Sequence, residues 1–213
     1  MTRTALAAGA LLLAGCAAVA DARAAVAQFC DRRPDVSATD QDRRLRFAAR
    51  VRQALDDTPG GMALIARAGL DLSRFGIRYS HAGIALKAGD GPWAVRQLYY
   101  ACEESRSRLF DEGVAGFLMG MDDPRRGHIT VIHLPEPHAS RLREAALDTP
   151  RALALLNADY SANAYPFSTR YQNCNQWVAE LLAGAWAAHG PGGTRAEAQA
   201  WVGAQGVAPP PAT

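Results

Sequence analysis

From Ser37 onward the apolar positions recur first at a helical and then at a strand period. Leu45, Ala48, Val51 and Leu55 fall three or four residues apart, the spacing that lines one face of an α-helix. Ser37 and Asp40 stand before them as an N-cap and a first-turn acid, so "SATDQDRRLRFAARVRQALDD" predicts an amphipathic helix with an arginine-rich solvated face. "GGMALIARAG" is a short apolar run after a glycine pair and predicts a strand. Two further strands, Arg78 to Leu86 and Trp93 to Ala101, are joined through the turn-forming "AGDGP". The β-branched alternation of "GHITVIHLP" predicts another strand, ended by Pro135, which has no N–H for a ladder.

The period then returns to helical. "HASRLREAALDTPRALALLNA" predicts two helices, with Thr149 and Pro150 as cap and first-turn residue of the second. An aromatic loop, "DYSANAYPFSTRYQN", leads into the helix "CNQWVAELLAGAWAAHG", closed by Gly190. "TRAEAQAWVGAQG" opens with a capping box from Thr194 to Glu197. There is no internal repeat and no long linker. The pattern predicts one α+β domain over residues 28–205, an antiparallel sheet packed against helices, followed by a disordered tail over 206–213.

Residues 1–27 are patterned differently. Arg3 supplies a positive start, Ala5 to Ala14 an apolar run, and small residues follow, as in a secretory signal. The run is too short for a stable transmembrane span. "LLAGC" has the form of a lipoprotein box that would lipidate Cys16, whereas "ADA" (Ala20 to Ala22) and "AVA" (Ala25 to Ala27) have the form of signal-peptidase sites. A plain apolar-region role for Cys16 stays open beside them. An exported protein is expected, in the periplasm or anchored to the envelope by lipid. At net charge +2, with no basic run interleaved with aromatics, nucleic acid is not expected as a partner.

Export permits disulfides. Beyond the signal stand Cys30, Cys102 and Cys174, so Cys30 and Cys102 form the candidate pair, with unpaired buried thiols as the alternative. Cys174 lies between Asn173 and Asn175 at the first turn of a helix whose apolar stripe is Val178, Leu181, Leu182 and Ala185. The unpaired N–H groups and positive dipole end of that turn favour a thiolate, the nucleophile of acyl transfer. The competing reading is a packed structural thiol. A nucleophile needs a base. His189 sits at a helix C-terminus, and His128, His133 and His138 cluster around a strand and its exit. His128 and His133 fall on opposite strand faces, so no metal site is expected there. His81, in "RYSHAGIAL", is followed by small Ala82 and Gly83, which leave room beside the ring.

"SHAGIAL" upstream and "NCNQWV" downstream resemble the motifs of the circularly permuted branch of the NlpC-type papain-like superfamily, which includes lecithin:retinol acyltransferase. There a histidine opens a strand and the cysteine follows later at a helix N-terminus, the order His81 then Cys174. Over about residues 28–190 the chain is similar to an exported bacterial domain-of-unknown-function family of that superfamily. The resemblance implies a permuted papain-like fold, no cofactor, and a catalytic pair of Cys174 and His81. It also implies an aromatic approach to the nucleophile, matched by Tyr165 and Phe167, so that with Asn173 and Asn175 these are the substrate-pocket candidates. A third polar residue on the next strand is implied too. Alternation places Trp93, Val95 and Gln97 on one face of that strand, and Gln97 can accept an imidazole N–H where Arg96 cannot. The expected function is an exported thiol hydrolase of amide bonds in a small peptide, such as cell-wall peptide. The alternatives are a lipid acyltransferase or thioesterase with "VAGFLMGM" (Val114 to Met121) lining an acyl pocket, and a non-catalytic envelope module. In the bland reading "VAGFLMGM" is a core or lid segment.

Overall fold

A computed structural model describes residues 36–207 apart from 70, 71, 122, 124, 125 and 188–192, within one compact unit that begins at Val36. Residues 1–35, which hold Cys16 and Cys30, and likewise His189, Gly190 and the stretch from residue 208, lie outside the described residues.

Ser37 caps α1 (Ala38–Asp56), its hydroxyl accepting the Asp40 N–H at 3.1 Å. The buried face carries Arg44, Ala48, Val51 and Leu55, while Leu45 is 49% exposed. The expected stripe is therefore corrected at its first position, and the arginine face is not wholly solvated. Arg44 turns inward because carbonyls await it: it donates to Met119 O at 3.2 Å and Met121 O at 3.1 Å. Those oxygens close the C-terminus of α2 (Val114–Met119), where helical carbonyls lack partners.

Five strands form one antiparallel sheet: β1 (Met62–Arg67), β2 (His81–Lys87), β3 (Trp93–Ala101), β4 (Arg106–Gly113) and β5 (Ile129–Ile132), in the order β4-β3-β2-β1-β5. β2 starts at His81 rather than Arg78, Ser80 N–H to Arg67 O (3.2 Å) being its outermost link to β1. β4 was not expected, because "RSRLFDEG" reads as polar. It is an edge strand with only Ser107 buried, and charged side chains suit such an edge.

Alternation along the strands sorts the core into two layers. Ala63, Ile65, Ala85, Trp93 and Val95 pack with α1 and α2. Met62, Ile84, Leu86 and Leu98 pack with α3 (His138–Leu147), α4 (Thr149–Ala154) and α5 (Cys174–Trp186). Within the "VAGFLMGM" stretch Val114, Phe117, Leu118 and Met121 are buried in the layer with α1, while Phe117 and Met119 also face a cavity. The cap of α4 is Asp148, which accepts the Arg151 N–H at 3.1 Å, so the predicted cap Thr149 is already inside the helix. α5 stops at Trp186, short of Gly190, because Ala187 turns to extended backbone. α6 (Arg195–Ala204) begins with the expected Thr194–Glu197 capping box. No helix among the described residues is long and apolar enough to cross a membrane.

Candidate functional site

The segment before Cys174 is held by a buried polar network. Glu180 on α5, 1% exposed, receives Arg195 Nε at 2.8 Å, Gln199 Nε2 at 2.7 Å and Gln172 Nε2 at 2.5 Å. Arg195 also donates to the carbonyls of Thr169 (2.6 Å) and Tyr171 (3.0 Å). A carboxylate this deep is tolerable only with such partners, and the same bonds fix the loop that delivers the chain to α5. Asn173 then caps the helix, its Oδ1 accepting the Gln176 N–H at 2.9 Å, which makes Cys174 the first helical residue.

The sulfur lies against the strand that carries His81. β2 and β3 pair only from Ile84 to Lys87, so the backbone of Ser80 to Ala82 is not taken up by β3. Cys174 Sγ occupies that opening, 3.8 Å from Ser80 O and 3.7 Å from Asn175 Oδ1, with the N–H groups of Ala82, Asn175 and Cys174 itself directed at it. Asn175 Nδ2 reaches Ser80 O at 3.5 Å. Burial of Cys174, a residue only 3% exposed, pushes the thiol up from its ordinary value, against those three N–H groups and the Arg67 charge, which pull it down. The expectation that the helix mouth alone would lower the thiol is thus corrected: in the folded chain desolvation outweighs the donors at the helix start.

His81 projects from the other face of the sheet, among Tyr99 (ring centroids 5.2 Å) and Phe117 (5.6 Å). Its Nε2 is hydrogen-bonded to Gln97 Oε1, and Gln97 Nε2 donates to Glu112 Oε2 at 2.7 Å. Gly83 allows this: a Cβ there would stand 2.7 Å from Val95 Cγ1 and 3.4 Å from Gln97 Cβ. Burial lowers the His81 pKa to about 3, with the Arg67 charge adding and the Gln97 bond opposing. The imidazole is therefore neutral in the folded chain. The sulfur's side-chain and carbonyl contacts are Asn175 Oδ1 and Ser80 O, beside the three N–H groups, and the ring bonds Gln97; the two side chains adjoin the same stretch of β2 backbone.

Arg67, paired in register with His81, is buried; its Nη1 donates to Gly120 O at 2.7 Å and its guanidinium lies 5.3 Å from the Phe117 ring centroid. With Gln97, Tyr99, Glu112, Phe117 and Met119 it lines a cavity of about 240 Å³ on the α2 side of the sheet. Tyr160, half-buried on the loop, has its hydroxyl pushed up by loss of solvent and then by the Cys174 charge.

Of the sequence-derived residues, Gln97 meets His81, Asn175 meets Cys174, and Arg96 is engaged elsewhere, with Asp111 (2.6 Å) and Ala146 O (2.6 Å). Tyr165 and Phe167 do not meet the pair. Tyr165 is 50% exposed, its ring 6.1 Å from that of Phe167, and Phe167 packs against Gly203 of α6. Their backbone is drawn to α5 by Gln176, which donates to the carbonyls of Tyr165, Pro166 and Ser168, so the rings turn outward. Cys102 is disulfide-bonded and Cys174 is free. Sequence reading missed Arg67, Tyr99, Glu112 and the Glu180 network; Glu112 needed β4 to be seen, and its two-residue alternation with Phe110 was the available signal.

Residues 54–213 match the model of the family described as "Uncharacterized protein conserved in bacteria (DUF2145)". The chain belongs to this family. The DUF2145 span begins within α1 and takes in β1, His81, Gln97, Glu112, Cys174 and Arg195, so the whole constellation lies inside it. Beyond DUF2145, neither the curated proteins nor the solved structures yield a match.

Proposed function

We propose that this protein is an exported cysteine hydrolase of amide bonds, built on a circularly permuted papain-like domain of the NlpC type. The observation that carries the reading is the His81 Nε2 to Gln97 Oε1 bond on the strand whose backbone flanks the Cys174 sulfur. An amide oxygen that holds Nε2 as N–H leaves the ring's lone pair on Nδ1, free to accept a proton. In support stand the order of the pair, the helix-start position of Cys174 and the N–H donors around it.

The reaction begins from neutral thiol and neutral imidazole. As a substrate carbonyl reaches the sulfur, the thiol proton passes to His81 Nδ1 and the S–C bond forms; the apo contacts tighten at this point. Charge on the former carbonyl oxygen is met by backbone N–H groups at the start of α5 and from Ala82. Collapse breaks the C–N bond, and the departing amine takes the proton from Nδ1. Water then adds to the thioester, giving up a proton to Nδ1, and the sulfur leaves as the thiol when that proton returns. The substrate class is a small peptide, with cell-wall peptide the fitting candidate for an exported chain.

A second reading, a non-catalytic envelope module, is favoured by the burial of the sulfur and its raised pKa. The two separate on exposure to an activated acyl ester such as a p-nitrophenyl acyl ester, followed by peptide mass spectrometry. The hydrolase acquires one acyl group on Cys174, with an initial burst of p-nitrophenol, and His81→Gln slows acylation by about a hundredfold or more. No acyl group on Cys174, or equal acylation in His81→Gln, overturns the proposal.

A further inference from the structure

Glu112 is the residue behind the residue that holds His81. Gln97 pairs with Phe110 across the β3–β4 ladder and Val95 with Glu112, so Glu112 stands diagonally from Gln97 on the same face of the sheet, within reach of long side chains. The two meet at 2.7 Å, Gln97 Nε2 to Glu112 Oε2. A glutamine amide is nearly symmetric in shape: rotated by half a turn it would offer His81 its NH₂ instead of its oxygen. The imidazole would then bind as acceptor through Nε2 and carry its proton on Nδ1. Nothing on β2 or β3 among the contacts described decides between these two arrangements. A carboxylate does, because it can only accept, so it draws the NH₂ of Gln97 to itself and leaves the oxygen for His81.

We propose that Glu112 is a positioning residue: through the orientation of the Gln97 amide it dictates that His81 carries its proton on Nε2 and keeps a lone pair on Nδ1. This deepens the hydrolase reading and in its functional meaning rests on it, since only the Nε2–H form has a lone pair on Nδ1 with which to accept the thiol proton. The tautomer itself is independent of any activity. Because His81 is held neutral, its tautomer can be read near pH 7.

The test is the ¹⁵N spectrum of the imidazole in the full protein, uniformly labelled, with His81 assigned by comparison with His81→Gln. In the wild type Nε2 should resonate as a protonated, pyrrole-like nitrogen and Nδ1 as a bare, pyridine-like one. Glu112→Lys substitutes a side chain that can only donate; it should turn Gln97 around and shift the ratio of the two forms by about tenfold or more toward Nδ1–H, the scale set by one mismatched hydrogen bond. Glu112→Leu, which holds neither end of the amide, should leave both forms populated, and it serves if the lysine variant does not fold. A wild-type ring protonated on Nδ1, or Nε2–H retained undiminished in both variants, overturns the inference. Iodoacetamide labelling of Cys174 in the same variants separates the two proposals. A tautomer that follows Glu112 in a protein whose Cys174 reactivity ignores His81 defeats the hydrolase reading and leaves the tautomer assignment standing. Reactivity that requires His81 in a protein whose tautomer ignores Glu112 does the reverse.

Discussion

Lowering the pH should destabilise this fold through His81 in particular. Its imidazole is 5% exposed and takes up a proton only near pH 3 when folded, against 6.5 for the free side chain, because burial and the Arg67 charge oppose the cation. The folded value is depressed, so the unfolded chain binds a proton that the folded chain refuses. Stability is thus complete above about pH 6.5 and is lost as the pH falls toward 3. At pH 5 the unfolded group is already 1.5 units past its midpoint, and at about 1.4 kcal/mol per unit the loss is about 2 kcal/mol. That is a large fraction of the stability of an ordinary domain. The assay is urea unfolding followed by tryptophan fluorescence at pH 7, 6 and 5, in wild type and in His81→Gln, which keeps a donor for Gln97 Oε1. Other groups titrate alike in the two proteins and cancel in the difference. Wild type should lose about 2 kcal/mol more than the variant between pH 7 and 5. Parallel losses would refute the reasoning.

Gly83→Ala should cost about 1–3 kcal/mol by overpacking, since the new Cβ meets Val95 Cγ1 at 2.7 Å and crowds Gln97, and thermal melting checks it. Arg195→Ala should cost about 3–5 kcal/mol in urea unfolding, because it strands the buried Glu180 carboxylate; a change under about 1 kcal/mol would show the pair to be idle. Fractionation of cells with palmitate labelling should find the chain outside the inner membrane, either lipidated at Cys16 or soluble from a start between Arg23 and Gln28. Recovery of the uncleaved chain from the cytoplasm would contradict export.

Where burial alternates cleanly, the chain is readable: β3 has the expected bounds, its Trp93–Val95–Gln97 face is buried as alternation requires, and Gln97 rather than Arg96 meets the histidine. The capping residues Ser37 and Thr194 were legible for a similar reason, since an N-cap acts within three residues. What stayed hidden depends on distant partners. Arg44 displaces Leu45 from the inner face of α1 because carbonyls some 75 residues away need it. β4 hides because an edge strand exposes its charges, and with it went Glu112. The pKa of Cys174 was misjudged because local sequence announces the helix dipole and not the burial that opposes it.

The account stands on Cys174 and His81 acting as one unit, and the rate of Cys174 alkylation across pH tests this most directly. Native protein is treated with iodoacetamide between pH 6 and 10, and Cys174 is quantified by peptide mass spectrometry. Because burial raises the free thiol, His81→Gln should be labelled appreciably only at alkaline pH. Wild type should be labelled at least about tenfold faster near pH 7, where a neutral His81 can take the thiol proton as the C–S bond forms. Identical profiles in the two proteins, or labelling of Cys174 only after unfolding, would contradict the claim.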